Sequence, residues 1–412
     1  MRDLPSDRNG ATWATRLPAR ASTGREAASA RRAEAAVAMI HDAWMWAHLR
    51  GTDGPAPPGD EASQASLLAA IDEHGVAALL HDRWQARIDD TSIPPSLRTA
   101  VAQRARTSAM RHLVRLAECR RISAALGTAG IDFIWLKGAA LSAWLYASPH
   151  LRPSNDIDML FASHADALRA AEALAPLGYR LPNRHIAGDL YVHELLAVNT
   201  HLGMEFDMHW RLANTALFSE RLRWEEVRAQ AFVVPALGSD ALVLAPVHAL
   251  MHACIHRACN HLIRRENSLH WLYDIHLLAL RLSQEEWSRF TLLAVERRLA
   301  DPCLDALDAC VARLGTILPE HVNAQLTSAA KHESLRSARL RNWYAFQWAT
   351  LRELPDLRTR LRWLRQMLIG DLAALRDRYA RAHETPSTIR LIGRRAVDGV
   401  RRLMKWTHRS RR

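Results

Sequence analysis

Hydrophobic positions along the 412-residue chain keep a helical period toward both ends and lose it only in the middle. From Glu34 to about Gly51 apolar residues recur at helical spacing, until the turn-rich Gly54-Pro55-Ala56-Pro57-Pro58-Gly59 segment ends the run. Helical patterning resumes from Ser63 to Arg87, breaks at Pro94-Pro95, and continues from Leu97 to Leu126. The period then changes. Ile131-Asp132-Phe133-Ile134-Trp135-Leu136 is short, apolar and β-prone, and stops at Lys137-Gly138, which predicts a buried strand. A short helix follows over Ala139 to Tyr146, then a second strand over Asn155 to Phe161. Ser163 with Asp166 three residues on has the spacing of a capping box, and Gly178 closes that helix. Val192 to Thr200 and Met204 to Trp210 read as strands joined by the His201-Leu202-Gly203 turn, and Phe232 to Val234 adds an edge strand. Beyond Pro235 the chain is helical again, with helices over Asp240–Asn260, Ser268–Leu282, Gln284–Arg298, Pro302–Leu314 and Arg339–Leu354. The pattern predicts an α+β fold: a small mixed-sheet core over 129–236, between helical regions at 33–128 and 237–387.

Charge changes this picture at the ends. The formal net charge is +12, but residues 1–32 carry a surplus of +4 and residues 388–412 a surplus of +8. Residues 33–387 are therefore neutral, and the body lacks the basic surface a nucleic-acid-binding core needs. The first segment has no periodicity and reads as a disordered basic tail. In the last, Ile389, Ile392, Ala396, Val400 and Leu403 form one apolar stripe among arginines, which suits packing by one face, an anionic membrane surface or another partner. Five scattered cysteines without a CxxC pair suggest buried free thiols. The N-terminus lacks the apolar run of a secretory signal, and no window approaches a membrane span, so a cytoplasmic protein is expected.

The candidate chemistry lies in the core. Asp156 and Asp158 sit at i and i+2 on a predicted strand, so both carboxylates share one face while Ile157 and Met159 take the other. Two acids held together among apolar residues call for a cation between them, and Mg²⁺ is the natural choice because it binds oxygen and keeps open positions for water and phosphate. Glu205-Phe206-Asp207-Met208-His209 repeats the alternation, so either Glu205 or Asp207 can add a third carboxylate, with His209 on the same face. Gly138, at a strand-to-helix turn, offers bare backbone for phosphate oxygens.

Leu136-Lys137-Gly138-Ala139-Ala140, Arg152-Pro153-Ser154-Asn155-Asp156-Ile157-Asp158 and Phe206-Asp207-Met208-His209-Trp210 together resemble the uncharacterised-nucleotidyltransferase family, a branch of the polymerase-β-like superfamily. The likeness extends over about residues 40–285 and takes in Leu272-Tyr273-Asp274-Ile275. It implies a nucleotidyltransferase core that moves a nucleoside monophosphate from an NTP such as ATP to an acceptor hydroxyl, releasing pyrophosphate. Carried over, it makes Asp156, Asp158 and Asp207 the catalytic carboxylates and the ligands of Mg²⁺ or Mn²⁺, and favours Asp207 over Glu205. It puts Lys137, Gly138, Ala139 and Arg152 at the nucleotide, and leaves the acceptor open among a small molecule, a peptide and an RNA end.

Other signals compete with this reading. Ala139 stands where the superfamily often has a serine, so a degraded nucleotide-binding or scaffold protein is an alternative. Arg265 and His270 have the Arg-x4-His spacing of HEPN-like ribonucleases, a metal-independent alternative. His248, His252 and His256 recur at four-residue steps on one helix face, where packing against the core is favoured over zinc. Asp274, inside an apolar run, needs a buried partner, with an arginine of a neighbouring helix the simplest. Trp44, Trp46, Trp84, Trp271 and Trp343 sit at helical spacing with Leu and Ala and are expected in the core.

Overall fold

A computed structural model describes residues 25–52, 57, 60–86, 92–154, 156–182, 193–263, 265–368, 375–376, 386–395 and 397–398. The N-terminal helices are α1 (Arg25–Arg50), α2 (Glu61–His74), α3 (Ala77–Gln85) and α4 (Pro95–Thr128). Helix α1 starts nine residues earlier than the apolar period begins, because Arg25–Arg32 is rich in Ala, Arg and Glu, all good helix formers. The run expected over Ser63 to Arg87 divides at Gly75, which takes the left-handed conformation (φ 65°) that ends α2. The first 24 residues lie outside the described part.

The core follows: β1 (Phe133–Leu136), α5 (Lys137–Trp144), β2 (Ile157–Phe161), α6 (His164–Leu174), β3 (Glu194–Asn199), β4 (Met204–His209), α7 (Trp224–Gln230), β5 (Phe232–Val233) and β6 (Leu242–Val243). The six strands form one mixed sheet in the order β3-β4-β2-β1-β6-β5. β1 runs antiparallel to β2 and parallel to β6, while β2 and β4 are parallel. Helical regions flank the sheet on both sides of the sequence, so the architecture is α+β. The predicted edge strand is β5, and the sequence missed β6. Leu242-Val243 falls in the first residues of the helix expected from Asp240, whose true start is Pro246. Proline fits the first turn of a helix, where its missing N–H costs nothing.

One face of the sheet packs Trp135, Phe161, Phe206 and Met208 against Cys119, Ile122 and Leu126 of α4 and Ala167, Ala170 and Leu174 of α6. The other face offers Ile134, Leu136 and Leu160 to the larger helical core. That core is built from α1–α3, α8 (Pro246–Asn260), α9 (Leu269–Arg281), α10 (Gln284–Glu296), α11 (Ala300–Leu314) and α12 (Glu320–His332). Two further helices, α13 (Trp343–Glu353) and α14 (Leu357–Leu368), follow it. All five cysteines are buried and free. Trp44, Trp46 and Trp84 are core residues as expected, but Trp343 stands exposed at the start of α13. No helix among the described residues is long and apolar enough to cross a membrane.

Candidate active site

The site forms where alternation on two parallel strands meets in register. Asp158 pairs with Asp207, and Leu160 with His209, across β2 and β4. Met204, Phe206 and Met208 go to the apolar core, so Asp207 and His209 must face the other way, beside Asp158. Ligand atoms of Asp158, Asp207 and His209 lie within 4.8 Å of one another, the one such cluster among the described residues. Glu205 is exposed and takes no part in it.

Asp158 is the centre. Its side chain is 1% exposed, and its Oδ1 accepts from Lys137 Nζ at 2.5 Å and meets His209 Nε2 at 2.9 Å. Burial alone would raise its pKa, but Lys137 and His209 outweigh that and hold the carboxyl well below the usual range. The same pairing favours the charged form of both partners: burial works against the charge on Lys137 and His209, yet the carboxylates raise both pKa values. Asp207 behaves oppositely. Burial, then repulsion from Glu194 and Asp158, pushes its carboxyl well above the ordinary value. Glu194 opens β3, opposite His209 in the antiparallel register, and its Oε2 lies 3.5 Å from His209 Nδ1.

Asp156 lies apart from this cluster. It immediately precedes β2, is exposed, and has a raised pKa from its surroundings and from Asp158. The strand begins two residues later than the sequence suggested, so the shared face expected for the two acids holds Asp158 alone in the sheet. Arg115, half-buried on α4, acts electrostatically on Asp156 and went unnoticed in the sequence.

The strand-to-helix turn is strained. Lys137 has φ +47°, in the left-handed region that non-glycine residues avoid, and this conformation opens α5 directly after β1. Gly138 has a different reason for being glycine: an added Cβ would sit 2.6 Å from Ser154 Oγ and 2.9 Å from its Cβ. Its space is filled by the loop that carries Asp156. Ala139 is half-buried in the first turn of α5.

Arg152, expected at the phosphates, is engaged elsewhere. Its Nε and Nη2 donate to both Asp274 oxygens at 2.7–3.0 Å, and its Nη1 donates to the Pro153 carbonyl. Tyr146 donates to the same carboxylate at 2.6 Å. The partner Asp274 needed is thus an arginine of a core loop instead of a neighbouring helix.

Helix α8 lies over the polar face. His252 and His256 feel Lys137 and Asp158, and burial, followed by Lys137, drives both to the neutral form, His252 to about 3. His248, one turn earlier, pairs with Glu226 at 3.6 Å, so the three histidines do not converge on one ion. A narrow cleft, with room for about 40 Å³, is lined by Lys137, Trp144, Arg152, His252, His256 and Trp271. His270 is half-buried, with Nδ1 2.7 Å from the His74 carbonyl.

A mixed sheet with acids paired in register on neighbouring parallel strands is the arrangement of a nucleotidyltransferase-like protein. The model of the uncharacterised nucleotidyltransferase family matches residues 60–315, and the chain belongs to that family. Among solved structures, an antigenic nucleotidyltransferase-like protein from Paracoccidioides brasiliensis matches at 16% identity with a TM-score of 0.28, covering 52% of this chain and 95% of its own. No curated protein matches.

Proposed function

We propose that the chain is a metal-dependent nucleotidyltransferase that moves a nucleoside monophosphate from an NTP to an acceptor hydroxyl and releases pyrophosphate. The observation that carries this is the register pairing of Asp158 with Asp207, which sets two carboxylates and His209 side by side, with Lys137 linking Asp158 to the neighbouring cleft. The donor set fits a divalent cation. Lys137 already places a positive charge on Asp158, and burial with repulsion from Glu194 and Asp158 raises the Asp207 pKa, an effect a cation would oppose. Asp158 and Asp207 would hold Mg²⁺ or Mn²⁺, with Asp156 a further candidate ligand, and the ion would supply charge to polarise the α-phosphate.

In the reaction, the acceptor oxygen bonds to the α-phosphorus and the bond from that phosphorus to the pyrophosphate oxygen breaks. The acceptor proton passes to the Asp207 carboxylate, ionised once the cation is bound. Lys137, whose Nζ sits on Asp158 and which lines the cleft, neutralises phosphate charge, and Gly138 and Ala139 lie in the first turn of α5, where backbone N–H groups can meet phosphate oxygens. Arg152 acts as a positioning residue, fixing the 152–156 loop on α9 through Asp274.

The test is transfer of label from α-labelled NTPs, with Mg²⁺ or Mn²⁺, onto a library of small molecules, peptides and RNA ends. Asp158→Ala and Asp207→Asn should abolish transfer while leaving the circular dichroism spectrum unchanged. Undiminished transfer in either variant would overturn the reading. Metal-dependent NTP binding without any product would instead favour a degraded binding protein, a reading supported by Lys137 seated on Asp158 and by the missing hydroxyl at Ala139.

A further inference from the structure

Helices α13 and α14 lie beyond the matched family region and play no part in the cleft. Their exposed faces share one unusual composition. On α14, Leu357 and Leu361 are 70% and 58% exposed, and with Leu364 they fall at i, i+4 and i+7 on one stripe. The helix has four arginines (Arg358, Arg360, Arg362 and Arg365) and no acid. Trp363, away from the stripe, is buried and anchors the helix to the protein. On α13 the stripe is Tyr344, Trp348 and Arg352, with Trp348 63% exposed, while Phe346 and Thr350 on another face are buried. Leucines turned to water on a folded, anchored helix cost free energy unless something apolar receives them.

We infer that α13 and α14 form a docking surface for an anionic lipid bilayer. Leucines edged by arginines, preceded by exposed Trp and Tyr, match the two layers of that partner: acyl chains below, phosphates above, indole and phenol rings between. The four arginines of α14 complement acidic headgroups. A nucleic acid would engage the arginines but offers nothing to Leu357 and Leu361. The C-terminal sequence adds to the same charge, with eight arginines and Lys405 against Asp398 over 388–412. The contact is peripheral, since no described helix can span a bilayer.

Co-sedimentation of the full chain with phosphatidylcholine vesicles, with and without phosphatidylglycerol, tests this surface independently of any transferase activity. Sedimentation is expected only with the anionic vesicles and should weaken with salt. Leu357→Gln with Leu361→Gln, which alters no charge, should weaken vesicle binding about tenfold or more without moving the thermal unfolding midpoint. Arg358→Gln with Arg365→Gln should weaken binding similarly and flatten its salt dependence. The inference falls if the chain ignores anionic vesicles, if it binds neutral ones equally, or if the leucine variant binds as wild type. Binding to single-stranded RNA that depends on the arginines alone, with no vesicle binding, overturns it in favour of a nucleic-acid surface.

Discussion

Asp158 and Asp207 are neighbours on adjacent strands, yet they hold their protons in opposite ways. Lys137 and His209 both reach Asp158, whereas Asp207 faces Glu194 and Asp158 across a buried gap. Removing Lys137 should expose this asymmetry. Lys137→Ala leaves Asp158 with His209 alone, and should cost about 2–4 kcal/mol of stability in metal-free buffer. Added Mn²⁺ should restore part of that loss, because a divalent ion can replace the missing cation on Asp158. A thermal melt with and without Mn²⁺ checks both, and an unchanged metal-free midpoint would refute the pairing. His209 and Glu194 show the limit of reading residues singly. His209 was legible as a face partner of Asp207, because alternation is local. Glu194 was not, since nothing in its own strand says that β3 lies against β4 in the register that brings it to His209.

The elements make two predictions. Gly138 was read as bare backbone open to phosphate, but Ser154 packs into the space its side chain would take. Gly138→Ala should therefore destabilise the fold by about 1–3 kcal/mol through overpacking, measurable as a lower denaturant midpoint with unchanged slope. On α8, His252 is neutral because burial depresses its pKa from 6.5 to about 3. The unfolded chain binds that proton below pH 6.5 while the folded chain does not. The associated stability is full above pH 6.5 and is lost as pH falls toward 3, on the order of 4 kcal/mol in all. His252→Gln should flatten the acid limb of the stability profile, and an unaltered limb would show that the ring is not held neutral. Periodicity found α8 and the shared face of its histidines. It could not tell that His248 turns to Glu226 while the next two look onto Lys137, which depends on where the helix crosses the sheet.

At the scale of the molecule, one buried ion pair joins the sheet's loop to the helical core. Arg152 and Asp274 are both almost fully buried, and Tyr146 completes the carboxylate's hydrogen bonds. Arg152→Ala would strand a buried carboxylate and should cost about 3–5 kcal/mol, whereas Arg152→Met with Asp274→Leu should cost much less. Urea denaturation of the two variants checks the contrast. Equal losses would mean that the pair is not the join. The tail stripe shows the same dependence on context. Ile389 is exposed while Leu391 is fully buried, so the helix over 388–395 packs by a different residue from those the stripe singled out. Ala396, Val400 and Leu403 lie outside the described residues.

By itself the sequence determined what depends on neighbours along the chain. It set the helical period at both ends, the strands of the core bar the two-residue β6, and the alternation that keeps Asp207 and His209 on one face. Folding in three dimensions decided which strands became neighbours, and so which acids met. It placed Asp158 beside Asp207, left Asp156 outside the strand, and sent Arg152 to Asp274. The reason is physical: a side chain's direction follows from local backbone geometry, but its partners depend on register and packing between segments far apart in sequence.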